Sequence, residues 1–117
     1  MTQNKGKLID LFIGNASNAI LHRILENAIL KLNQLDIAGR YRKEIINSYE
    51  IAKRYREKIN PIFSPLPSSD TAQIKSVLLR RIRSEINIRI EKGYKNLDLA
   101  SAEQEIDDFL KEMRVIA

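Results

Sequence analysis

The sequence predicts an all-α protein, an up-and-down bundle of about four helices in which residues 1–117 form a single domain. Three observations carry that expectation. Apolar residues recur at helical spacing in four separate stretches. A proline-rich connector and a glycine-containing turn divide the later stretches. The 117 residues, 44% apolar and 30% charged, are enough for one core but not comfortably for two, and are too apolar for a disordered chain.

The first helix is expected from about Lys7 to Asn33. Leu8, Leu11 and Phe12 cluster on one side, whereas Ile20, Leu21, Ile24, Leu25, Ala28, Ile29 and Leu32 cluster on nearly the opposite one. Gly14 and Asn15 lie between the two sets, and glycine costs about 1 kcal/mol in a helix interior. A bend or short break near Gly14-Asn15 is the expected consequence; a continuous, fully buried helix is the competing reading.

The second helix, about Ile37 to Ile59, contains an internal echo: RYRKEI at Arg40 to Ile45 returns as RYREKI at Arg54 to Ile59. Fourteen residues at about 100° each bring the second box within ~40° of the first and about 21 Å further along the same face. Ile37, Tyr41, Ile45, Ala52, Tyr55 and Ile59 share an apolar stripe, which places these tyrosines in packing. Arg40, Lys43, Arg54 and Lys58 fall together on the far side with Asn47, and they are candidates for contact with phosphate or an acidic partner.

NPIFSPLPSSD, Asn60 to Asp70, then ends the helix with three prolines and reads as a connector covering one end of the bundle with Ile62, Phe63 and Leu66. Pro65-Leu66-Pro67 does not make the PxxP spacing of a ligand for aromatic grooves. Asp70 and Gln73 have the spacing of a capping box and open the third helix, expected to run to about Lys92 on Ile74, Leu78, Ile82, Ile86 and Ile90. INIRI, Ile86 to Ile90, also alternates with period two, so a hairpin over residues 86–99 competes with helix there. Helix is favoured because the four-step pattern starts upstream and nothing breaks it before Gly93. A fourth helix, from about Asp98 or Ser101 to Val115, buries Ile106, Phe109, Leu110 and Met113. Its early acidic residues and late Lys111 and Arg114 suit the helix dipole, and Ser101 and Gln104 repeat the capping-box spacing.

Charge is unevenly spread. Residues 35–95 carry 14 basic and 7 acidic side chains, whereas residues 96–117 carry 2 and 6. A basic face of this kind can meet nucleic acid, an acidic protein or the chain's own last helix. Arg80 and Arg83 on the third helix point away from its apolar stripe and join the candidate contacts, while Arg81 and Arg89 flank the stripe. No diagnostic nucleic-acid motif accompanies them.

Several classes of chemistry are disfavoured. Without cysteine there is no disulfide, thiolate site or thiol nucleophile, and a reducing, cytoplasmic setting is expected. The lone His22 offers one metal ligand and has no nucleophile or carboxylate at a telling spacing. Asp107 and Asp108 point about 100° apart and read as a solvated face. The four glycines do not form a phosphate-cradling loop, and no apolar run approaches the ~20 residues of a spanning helix. No catalytic residue, metal, cofactor or small-molecule substrate is inferred, and the chain reads as non-enzymatic. The expected function is an interaction module, self-associating or binding another protein, with Tyr41, Tyr49 and Tyr55 as candidate apolar interface. The alternative is a nucleic-acid-binding accessory protein using the basic face of helices two and three.

Overall fold

The computed structural model describes residues 4–31, 35–61 and 64–117. They form four helices, α1 (Lys5–Lys31), α2 (Leu35–Ile59), α3 (Ser68–Glu91) and α4 (Leu99–Glu112), arranged as an all-α bundle with no strand among the described residues. Cross-helix pairs fix the directions. Glu26 meets Arg42, Arg23 meets Glu112 and Arg83 meets Glu103, so α1 runs antiparallel to α2 and α4, and α3 antiparallel to α4. Lys5 pairs with Asp70, which puts the start of α3 beside the start of α1. The course is therefore up, down, up, down.

α1 is the hub: it packs against each of the other three helices, and α3 also packs on α4. That position explains its two apolar faces. Leu8, Ile9, Phe12 and Ile13 before Gly14, and Ile20, Leu21, Ile24, Leu25 and Ala28 after it, are all buried. The helix continues through Gly14 and Asn15, so the short break entertained from the sequence is absent. A helix surrounded by three neighbours needs no interruption to bury apolar residues on opposite sides. Residues 32 and 33, expected to end this helix, and Ile62 and Phe63 of the connector lie outside the described residues.

The core joins α1 to Ile74, Leu78, Ile82 and Ile86 of α3 and to Ile106, Phe109 and Leu110 of α4. Leu66 of the connector is buried within it, and its N–H donates to Val115 O at 3.3 Å. The expected covering role of the connector holds at this residue.

Helix ends correct two capping expectations and resolve one ambiguity. α3 starts at Ser68 after Pro67, with Thr71 N–H donating to Pro67 O at 3.0 Å, and Pro67 supplies no side-chain cap. Asp70 is already inside the first turn, so it cannot form the anticipated box with Gln73; it favours the dipole and pairs with Lys5 instead. α4 is capped by Asp98, whose carboxylate accepts from Ser101 N–H at 2.7 Å and from Ser101 Oγ at 2.9 Å. Ser101 is thus the third helical residue and not a cap, and Gln104 donates to Asp108 at 2.9 Å. INIRI is helical to Glu91, and Gly93 then takes φ 93°. Gly93 N–H donates to Ile90 O and Tyr94 N–H to Arg89 O, both at 3.0 Å, the paired bonds of a Schellman ending. The same pattern closes α4, where Val115 N–H donates to Leu110 O at 2.9 Å and Arg114 N–H to Lys111 O at 3.1 Å. There the left-handed position, φ 54°, belongs to Arg114.

Candidate functional site

The sequence-derived cations separate by location. On α2, Arg40, Lys43, Arg54 and Lys58 are all exposed, and none has an ion-pair partner among the described residues. Lys58 lies 5.4 Å above the Tyr55 ring. On α3 the acidic last helix takes part of the charge: Arg83 pairs with Glu103 at 2.5 Å, and Lys75 pairs with Asp107 at 2.9 Å. Arg80 is exposed and makes no such pair among the described residues. Among the described residues the candidate cations of α2 are thus unpaired and those of α3 partly neutralised, and α2 packs on α1 and not on α3.

The three tyrosines pack at the edge of the chain's own core, each half-buried. Tyr49 stands edge-on to Phe109 with centroids 5.8 Å apart, and the Arg23 guanidinium lies 5.6 Å from the Tyr49 ring and 5.3 Å from that of Phe109. Arg23 also grips Glu112 through two 2.8 Å bonds, and that hydrogen bonding raises its pKa against the opposing effect of burial. Tyr41 meets the His22 ring edge-on at 5.7 Å, and burial, reinforced by nearby Tyr94, pushes its hydroxyl pKa up.

Arg56 was missed as a special residue. Its side chain is fully buried, Nε donates to Met113 O at 2.9 Å, and Nη2 donates to Ser64 O at 2.7 Å and Arg114 O at 2.9 Å. Nη1 donates to both oxygens of Asn60, the backbone one at 3.2 Å. Burial lowers its pKa, and no carboxylate partners it among the described residues. The charge is met instead by carbonyls at the C-terminal ends of α2 and α4, where helix dipoles are negative. A signal existed: Arg56 follows Ala52 by four residues and therefore occupies the buried stripe of α2.

A polar groove of about 560 Å³ runs between α1 and α3. Gly14, Ser17, Asn18 and His22 come from α1; Arg80, Arg81, Ser84, Glu85 and Arg89 come from α3. Asn18 Nδ2 is engaged across to α2, donating to Ser48 Oγ at 2.5 Å and Glu44 at 3.2 Å. His22 Nδ1 lies 2.7 Å from Asn18 O; because a carbonyl only accepts, this nitrogen carries the proton. Arg89 is tied to Glu85 at 2.6 Å.

Of the large apolar residues exposed among the described residues, Ile46 and Ile51, 52% and 37% exposed, lie on the body of α2, and the other six gather elsewhere. Leu30 ends α1, Ile37 begins α2, Ile88 and Ile90 end α3, Tyr94 follows it, and Leu99 begins α4; each is 38–45% exposed. Lys31 and Asp98 face the same cleft with Asn27 and Ser101, so these termini share one end of the bundle. At the opposite end Leu66, Met113 and Val115 are buried around Arg56.

Among the described residues no group of three or more His, Asp or Glu is placed to hold a metal, and no helix is long and apolar enough to cross a membrane. No family model matches this chain, and no match is found among the curated proteins or the solved structures.

Proposed function

We propose that this protein is a small, non-enzymatic helical interaction module that binds a second copy or another protein. The observation that supports this is the apolar end formed by Leu30, Ile37, Ile88, Ile90, Tyr94 and Leu99. Scattered exposed apolar side chains are ordinary; six gathered at the meeting of four helix termini are a surface on which association removes apolar area from water. The tyrosines on α2 contribute at their exposed edges only, being occupied by His22, Phe109, Arg23 and Lys58. A cytoplasmic setting belongs to this reading and is compatible with a chain that has no cysteine to oxidise.

Sedimentation over a concentration series, paired with binding of an apolar fluorescent dye, tests it. The wild type should self-associate or take up the dye, and an Ile37→Ser, Ile90→Ser variant should lose either behaviour. A wild type that stays monomeric and leaves the dye unbound rejects the reading.

A second reading is favoured by the exposed stripe Arg40, Lys43, Arg54 and Lys58, with Arg80 on α3. Pairing of Arg83 with Glu103 works against it. Binding of short DNA and RNA that weakens linearly with log salt, and is lost in Arg40→Glu, Arg54→Glu, would establish it.

A further inference from the structure

We propose that the groove between α1 and α3 is a binding site for a small phosphorylated molecule. This inference stands apart from the function proposed above, which concerns the apolar end of the bundle.

Charge neutralisation along α3 is selective. Lys75 and Arg83 are matched by Asp107 and Glu103 of α4, and Arg89 by Glu85 on α3 itself. Arg80 and Arg81 line the groove and have no ion-pair partner among the described residues. Glu85, the carboxylate that lines the groove, is taken up by Arg89, which leaves the guanidiniums of Arg81 and of Arg80, the latter also bordering the surface lined by Lys75 and Arg83.

Those two residues are consecutive on a helix, so their side chains leave the axis about 100° apart; both nevertheless line the groove, and it is the length of the arginine side chain that lets each guanidinium reach a ligand there. A carboxylate offers two oxygens in one plane. A phosphate offers several oxygens in a tetrahedral array and up to two charges, which suits two guanidinium forks arriving from separate directions. Hydroxyl donors stand nearby on both walls, Ser17 on α1 and Ser84 on α3. His22 adds a ring whose Nδ1 is fixed by Asn18 O, leaving Nε2 as its remaining polar atom.

Space is the second argument. A volume of about 560 Å³ falls within the 300–1,000 Å³ usual for small-molecule sites. Gly14 lines this groove, and a Cβ built there would meet no atom within 4 Å. The glycine is therefore not required by helix packing, and the absence of a side chain keeps that stretch of the floor open.

The test is titration with inorganic phosphate and pyrophosphate at low chloride, followed by amide chemical shifts, with a single-stranded oligonucleotide as a third probe. Wild type should bind both small anions saturably, pyrophosphate more tightly, with shifts centred on Ser17, His22, Arg81 and Ser84. Arg80→Gln, Arg81→Gln should weaken pyrophosphate binding about tenfold or more, as removal of two charge-assisted contacts demands. Gly14→Leu should do the same by filling the groove; it leaves the charge unchanged and improves helix propensity, so loss of folding would not explain the effect. Absence of saturable binding overturns the proposal. So does a Gly14→Leu variant that binds like wild type, because the anions would then be held by surface charge alone. Tighter oligonucleotide binding with shifts centred on α2 instead of the groove also overturns it.

Discussion

The two RYR boxes of α2 have almost the same letters and opposite fates. Arg40 and Arg54 point outward in both, and Tyr41 and Tyr55 are half-buried in both. The second arginine divides them. Arg42 is 57% exposed at its side chain and pairs with Glu26 across the α1–α2 contact, whereas Arg56 is fully enclosed and bonds to carbonyl oxygens. The difference of about 40° on the helix wheel is too small to account for this. Height along the bundle accounts for it. The first box lies beside the body of α1, whose backbone groups are satisfied within the helix. The second lies where α2 and α4 both end and leave carbonyls without helical partners. An arginine, with five donors and no acceptor, is suited to such a place.

The sharpest way to break the comparison is to truncate each arginine. Arg56→Met should destabilise the fold by about 3 kcal/mol, because the buried carbonyl of Met113 and the part-buried ones of Ser64 and Arg114 lose their donors. Arg56→Lys should recover little of that loss, since an ammonium cannot reproduce the planar fork. Urea unfolding measures both. Arg42→Ala should cost about 1 kcal/mol: the arginine is solvated, but Glu26, 8% exposed at its side chain, would lose its cation. Adding Glu26→Gln to Arg42→Ala should return most of that stability. Equal losses at Arg42 and Arg56 would mean that the convergence of helix ends confers nothing particular on the second box.

How much of this was legible in the sequence follows from the same distinction. The four helices are written in local apolar spacing, and Ile74, Leu78, Ile82 and Ile86, each inaccessible to solvent, lie where that spacing puts them. The partners of Arg56 are not written locally, since Met113 and Arg114 lie 57 and 58 residues away and reach it only once α4 has docked. Its place on the apolar stripe could have marked it as unusual without revealing what it bonds. INIRI imitated a strand for a physical reason as well. Ile86 is buried, but Ile88 and Ile90 are 42% and 44% exposed at the apolar end, so the alternation came from outward-facing isoleucines on a helix. The exposed stripe on α2 was legible, as were the flanking positions of Arg81 and Arg89. That Arg81 faces Ser17 and His22 across a groove was not, because no local pattern specifies that α1 and α3 are neighbours.

The helix endings sharpen the comparison at smaller energy. α3 and α4 finish with the same pair of hydrogen bonds, but the left-handed residue is Gly93 in one and Arg114 in the other. Left-handed backbone disfavours a residue with a Cβ by roughly 1–2 kcal/mol, part of which glycine returns through its freer unfolded chain. Arg114→Gly should therefore stabilise by about 0.5–1 kcal/mol while keeping the backbone carbonyl that Arg56 uses. Gly93→Ala should destabilise by about 1 kcal/mol. If Arg114→Gly instead lowers the melting temperature, the exposed Arg114 side chain contributes something its position does not reveal.

The smallest effect expected is in pH dependence, where α4 carries two carboxyls shifted in opposite directions. Backbone and side-chain hydrogen bonds from Ser101 lower the pKa of Asp98, so its contribution to stability is present above the ordinary value of 3.8 and is lost as pH falls through the lowered one. Burial raises the pKa of Glu105 above the ordinary 4.5, with Arg23 only partly opposing it. The folded chain then binds that proton more tightly than the unfolded chain. Between the raised value and 4.5 the Glu105 contribution therefore improves as pH falls, and at neutral pH its destabilising effect is fully present. Glu105→Gln keeps an oxygen able to accept from Asn27, a bond of 3.3 Å in the wild type, and removes the charge. Its stability relative to wild type should be greatest at neutral pH and should vanish below the ordinary carboxylate pKa, a trend that urea midpoints across pH can measure. A difference that grows as pH falls would reverse the sign and make the Glu105 charge, through Arg23, a stabilising part of the α1–α4 contact.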